Sequence, residues 1–222
     1  MVEDAFLALE NLNATEIVFN GKKIDSISCG KYVDVDIDRV ALPIIRRGEN
    51  ELILTVDFGE LTCIENSFIL GEFAVNVEGS EQTIEELPST ICFGDITSQG
   101  FPFYGGNITY RFMVMGDGTS KTLKLDLFEA PVITVSCDQQ RLGVIAISPY
   151  EIDLGMLSKG LHTVNATAYG SRINTFGALH NCDKTDRWYG PTYWRSTGGA
   201  FSYEYRLKPC GILTTPRIIT KE

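Results

Sequence analysis

Apolar residues along this chain alternate with polar ones or fall in short runs bounded by Gly, Asn, Asp and Pro. Almost nowhere do they recur at the three-to-four spacing of a helix face, so the pattern predicts many short strands. The candidate strands are Ala5 to Glu10, Glu16 to Phe19, Tyr32 to Ile37, Glu51 to Phe58, Ser67 to Val77 and Asn107 to Met115. They continue with Thr122 to Leu127, Val132 to Cys137, Gly143 to Ile147, His162 to Ala168 and Ser202 to Leu207. Asn20-Gly21, between Phe19 and Lys22, predicts a two-residue hairpin turn, since both positions tolerate positive φ.

One pattern is written twice. Tyr32 opens the run Val33-Asp34-Val35-Asp36-Ile37-Asp38, the turn signal Arg46 to Asn50 follows, and Glu51 to Val56 reads as a strand. Tyr150-Glu151-Ile152-Asp153-Leu154 repeats the order, with the turn Ser158-Lys159-Gly160 and the strand His162 to Thr167. Self-similarity of this kind predicts two copies of one domain type. The small, polar segment Glu78 to Thr83 reads as the start of a connection running to Pro88. The expected division is therefore residues 1–78 as a partial first β-sandwich and 88–222 as a complete second one. Either the first copy begins inside its domain, or the second half closes its open edge.

The chain has 222 residues, a net charge of −10 and a hydrophobic fraction of 44%. A packed core is expected from that fraction, and the acidity opposes nucleic acid and anionic membrane as partners. The acidic start Met1-Val2-Glu3-Asp4 is unlike a signal peptide, and no apolar stretch is long enough to span a bilayer. Six cysteines lie far apart with no CxxC pair, which reads as free thiols in a reducing, cytoplasmic compartment. Asn-x-Thr sequons at Asn13, Asn107 and Asn165 matter only in a glycosylating pathway.

Candidate chemistry concentrates in Ser171 to Arg195, which reads as an extended loop. It holds Asn174, His180, Arg187, Trp188, Tyr189, Tyr193 and Trp194. Aromatic faces beside amides and charges suit a sugar, whose C–H face stacks while its hydroxyls take hydrogen bonds. The same residues would serve equally as anchors of a long loop. Tyr104, in the Gly/Pro-rich lead into a strand, is a further candidate. Asp34, Asp36 and Asp38 fall on one strand face by period two. An EF-hand starting at Asp34 would need Gly where Arg39 stands and Glu where Ile45 stands. A solvated face is the reading, with a structural calcium ion the alternative. No metal-ligand spacing and no cofactor motif is found. Neither a Gly-x-Ser-x-Gly elbow nor HExxH occurs, only His162 and His180 could serve a triad, and Glu72 and Glu204 are the least ordinary acids.

Across nearly its whole length the chain resembles the non-catalytic, galactose-binding-like β-sandwich region of bacterial glycoside hydrolase family 2-like and α-L-rhamnosidase-like proteins. The matching elements are Phe19-Asn20-Gly21-Lys22-Lys23, Tyr32-Val33-Asp34, Gly48-Glu49-Asn50-Glu51-Leu52 and Phe68 to Phe73. In the second half they are Phe101 to Gly106, Pro149 to Asp153, Asn174 to His180, Trp188-Tyr189-Gly190-Pro191 and Tyr205 to Ile212. The Asn20-Gly21 turn departs from the repeat, with Val135-Ser136-Cys137-Asp138 in its place. The resemblance implies an all-β chain of tandem jelly rolls whose parent enzyme carries its catalytic carboxylates elsewhere. The expected role is a non-catalytic carbohydrate-associated accessory module that is not itself an enzyme, with carbohydrate or an adjacent catalytic domain as partner. The alternative is a structural sandwich that packs on a catalytic domain without binding sugar.

Overall fold

The computed structural model describes residues 1–60, 62, 65–183 and 193–220. The chain is all-β, built from antiparallel sheets, and forms two compact units, Met1–Phe73 and Ala74–Glu222.

Unit one contains β1 (Phe6–Leu9), β2 (Thr15–Phe19), β3 (Lys22–Ile24), β4 (Lys31–Tyr32), β5 (Asp34–Ala41), β6 (Leu52–Val56) and β7 (Phe68–Leu70). One sheet runs in the order β4-β5-β1-β7 and the other β3-β2-β6. Their inner faces meet over Leu7, Leu9, Ile17, Phe19 and Val40. Alternation explains β5 only in part. Ile37 is buried, but so is Val40 three residues on, at an odd spacing that period two does not give, while Val35 is 76% exposed and Val33 has φ 65°. The strand thus begins beyond the core, and the shift of register against β4 marks where it enters.

Unit two contains β8 (Ala74–Glu78), β9 (Glu81–Glu85), β10 (Ile108–Gly116), β11 (Ser120–Lys124), β12 (Phe128–Glu129), β13 (Ile133–Cys137) and β14 (Gln140–Ile145). It continues with β15 (Glu151–Met156), β16 (Gly160–Ala168), the short helix α1 (Ile173–Phe176), β17 (Gly211–Ile212) and β18 (Arg217–Thr220). The sheets β10-β16-β13-β14 and β15-β11-β18 pack over Val114, Leu123, Ile133, Val135, Leu154 and Val164. Tyr110 is buried in this core, stacked on Phe93 at 5.1 Å, and its hydroxyl accepts the N–H of Ile212 at 3.2 Å.

The repeat is real in the strand pairings. In each copy the two strands of the pattern belong to opposite sheets: β5 and β6 in unit one, β15 and β16 in unit two. The order β3-β2-β6 matches β14-β13-β16, and β5-β1-β7 matches β15-β11-β18. Among the described residues, nothing in unit one stands beside β6 as β10 stands beside β16. The Asn20-Gly21 turn, with φ of 49° and 74°, also has a counterpart that the sequence hid. Asp138-Gln139 has φ of 46° and 70° at the same place between β13 and β14.

Two expectations are corrected. The segment expected to connect the copies is a hairpin: β8 pairs with β9 around Gly79-Ser80. A polar, small sequence fits that reading as well, because β9 is exposed along its whole length. Ser202 to Leu207 forms no strand.

Candidate functional site

After β16 the chain turns through α1, where the N–H groups of Thr175 and Phe176 bond the Arg172 carbonyl at 3.0 and 2.9 Å. Residues 179–182 and 200–206 then run side by side without regular strand geometry. Arg206 N–H bonds Leu179 O at 2.6 Å, Ser202 N–H bonds His180 O at 2.8 Å, and Cys182 N–H bonds Ala200 O at 2.9 Å. Asn181 and Phe201 form an isolated bridge. Backbone groups with no strand partner are satisfied here by each other, as burial demands.

Asn174 is buried, and its amide is committed to the backbone. Nδ2 donates to Lys208 O at 2.7 Å and Oδ1 accepts from Lys208 N–H at 2.9 Å. His180 is partly buried, with Nδ1 3.0 Å from the Ser202 carbonyl. A carbonyl only accepts, so Nδ1 carries the hydrogen. The imidazole lies tilted against Tyr205 at 4.7 Å and Phe201 at 6.0 Å between ring centroids. Tyr205 meets Phe103 edge-on at 5.4 Å, and its hydroxyl bonds the Gln82 amide. An aromatic wall of Phe103, Tyr205, His180 and Phe201 results.

Exposed rings stand on this framework. Tyr203 is 79% exposed and meets Phe201 edge-on at 4.9 Å. Trp194 is 43% exposed; it follows Tyr193, whose carbonyl accepts the Asn181 amide at 3.3 Å. Tyr104 is 46% exposed, edge-on to Phe101 at 5.9 Å. Arg187, Trp188 and Tyr189 lie outside the described residues. The structure therefore brings Asn174, His180, Tyr193 and Trp194 into one loop system, with Asn174 serving as a backbone tether. Sequence reasoning missed Tyr203 and Phe201. An alternating Ser-Tyr-Glu-Tyr run imitates a strand, and only the pairing with residues 179–182 shows otherwise.

Acid–base and nucleophilic groups are arranged for structure. Glu204 is exposed and pairs with Arg206 at 3.4 Å. Burial pushes the Cys210 thiol up, aided by Asp95 and Glu129, which makes it a weak nucleophile. Ser158, His162 and Asp138 suggest a triad by type, but His162 Nε2 lies 2.9 Å from the Ser158 carbonyl and 3.4 Å from its Oγ. Nε2 therefore carries a hydrogen and does not act as a base toward that hydroxyl. Asp38 is engaged by Lys31 at 2.8 Å and by Ser28. Among the described residues the cysteines Cys29, Cys92, Cys137, Cys182 and Cys210 are free. No helix among them is long and apolar enough to cross a membrane.

No protein-family model and no curated protein sequence matches the chain. A solved structure of a rhamnosidase from Novosphingobium sp. PP1Y is similar at 15% identity and a TM-score of 0.39. The match covers 100% of this chain and 22% of that one, so the chain spans about a fifth of the rhamnosidase's length.

Proposed function

We propose that this chain is a non-catalytic, galactose-binding-like accessory module of a glycoside hydrolase-like protein, and that it binds sugar at the loop carrying Trp194 and Tyr203. The observation that carries this reading is a large ring held in water on a rigid support. Tyr203 is 79% exposed while its neighbour Phe201 pins it edge-on within the aromatic wall. Such a ring offers a stacking face at little ordering cost, and Trp194 offers a second. Arg187, Trp188 and Tyr189 belong to the same stretch of sequence and extend the candidate set. Neutral glycans suit an acidic chain better than anionic ones.

A glycan-array screen with Tyr203→Ala and Trp194→Ala tests the reading. Binding to at least one glycan, weakened about 5-fold or more by either substitution, is expected if each ring contributes about 1–3 kcal/mol of stacking (~1.4 kcal/mol per factor of ten). No binding to any glycan would leave the second reading, a structural sandwich that packs on a catalytic domain. That reading draws on the exposed sheet face where Met115 pairs with Leu161 and Met113 with Thr163. Met-rich apolar surface of this kind suits adaptable contacts with a partner.

A further inference from the structure

The two copies share one structural clamp and build it from different chemistry. In unit one Asn20, at the hairpin turn, accepts the Glu51 N–H at 2.8 Å on Oδ1 and donates to Asn50 Oδ1 at 3.0 Å. Asn50 in turn bonds the Arg46 carbonyl at 2.8 Å, four residues back. In unit two Asp138 accepts the Thr163 N–H at 2.9 Å on Oδ1, and Oδ2 lies 2.6 Å from His162 Nδ1. His162 Nε2 reaches the Ser158 carbonyl at 2.9 Å, again four residues back. The pairings Phe19↔Leu52 and Cys137↔Val164 put Cys137 where Phe19 stands. Phe, Asn and Asn of the first copy are thus Cys, Asp and His in the second. Neutral amides suffice to close the turn, so the turn itself does not call for the second set.

The imidazole fixes what must lie in the second clamp. Its Nε2–H is used on Ser158, so a neutral ring points the Nδ1 lone pair at a carboxylate oxygen 2.6 Å away. Two lone pairs at that distance need a cation between them, either a proton or a metal ion. The Cys137 thiol completes the set, with one ligand atom from each of the three residues lying within 4.8 Å of the others. A carbonyl-held histidine is also the usual support of a metal-ligating ring.

We propose that Cys137 Sγ, Asp138 Oδ2 and His162 Nδ1 bind a borderline-soft divalent ion of the zinc class, with solvent in the fourth position. The donor set of thiolate, imidazole and carboxylate selects zinc over calcium or magnesium. Binding replaces the Nδ1 proton and the thiol proton, so two protons leave per ion when the ring starts charged. Bonds of about 2.0–2.1 Å to nitrogen and oxygen require Nδ1 and Oδ2 to open to about 3.3 Å. Asp138 is half-exposed in a two-residue turn and has room to make that shift.

The test is Co2+ and Zn2+ titration of the full chain, with a competing chromophoric chelator for affinity and the thiolate-to-cobalt charge-transfer band for the ligand. Wild type is expected to bind one Co2+ with that band, and Cys137→Ser to lose it. The double variant Asp138→Asn, His162→Asn installs the amides of the first copy. It is expected to keep its thermal transition while losing binding about 100-fold or more. A cobalt–thiolate band unchanged by Cys137→Ser, undiminished affinity in the double variant, or no binding by wild type would each overturn the proposal. In the last case the proton is the cation of the clamp.

Discussion

At the scale of single residues, the loop shows how one side chain can read as a ligand contact and act as a tether. Asn174 sits in a sequence of polar and aromatic residues that would suit a sugar site. Its amide instead closes a two-bond pairing with the backbone of Lys208, far along the chain. Asn174→Ala removes both bonds to the Lys208 backbone, which are partly buried and worth about 0.5–1.5 kcal/mol each. Denaturant unfolding is expected to show that loss at an unchanged m-value. A stability equal to wild type would mean the tether is redundant. Nothing in the sequence could have distinguished the two roles, because the partner is a backbone group and carries no residue signature. The aromatic content of the loop was legible, since rings must be either buried or displayed. Which rings are displayed was decided by pairing between residues 179–182 and 200–206, which have no periodic pattern to read.

Elements were legible where periodicity and turn chemistry agreed, as in β2, β10, β13 and β16. They were hidden where a residue adopts a conformation its type disfavours. Asn20-Gly21 announces its turn; Asp138-Gln139 makes the same turn with Gln139 at φ 70°. The ladder of β13 with β14 and β16 imposes that conformation at a cost of about 1 kcal/mol for a non-glycine residue. Gln139→Gly is expected to raise stability by up to about 1 kcal/mol, read from the denaturation midpoint; a loss would mean the side chain packs favourably. The turn between β10 and β11 carries a pH signature. Asp117 holds the ammonium of buried Lys121 at 2.7 Å and caps Thr119, and these contacts keep its carboxyl well below the usual carboxylate range. Since the folded value lies below the unfolded one, the stabilisation is complete above about pH 4 and fades as pH falls toward the folded value. Asp117→Asn is therefore expected to lower Tm near neutrality and to flatten the acid limb of Tm against pH. A limb as steep as in wild type would show that other carboxylates govern it.

At the scale of the whole chain, duplication was legible from sequence and the inequality of the copies only in part. The repeat lies in strands that cross between sheets, so it survives as a pattern of apolar spacing even where residues differ. The unit boundary at residues 73 and 74 was not legible, because an exposed polar hairpin and a polar linker have the same composition. Each unit encloses a separate hydrophobic cluster, Ile17 being fully buried in one and Leu123 in the other. Truncating such a residue removes transfer energy and leaves a cavity, together about 2–5 kcal/mol. A unit of this smaller size buries less of its surface and has little stability to spare. Ile17→Ala is therefore expected to melt unit one at temperatures where unit two stays folded, and Leu123→Ala to act on the transition of unit two. Calorimetry of the two variants and their combination reads this directly: each substitution moves its own transition, and the double variant shows the sum of both shifts. One common transition displaced by either substitution would instead mean that the two clusters unfold as a single cooperative body.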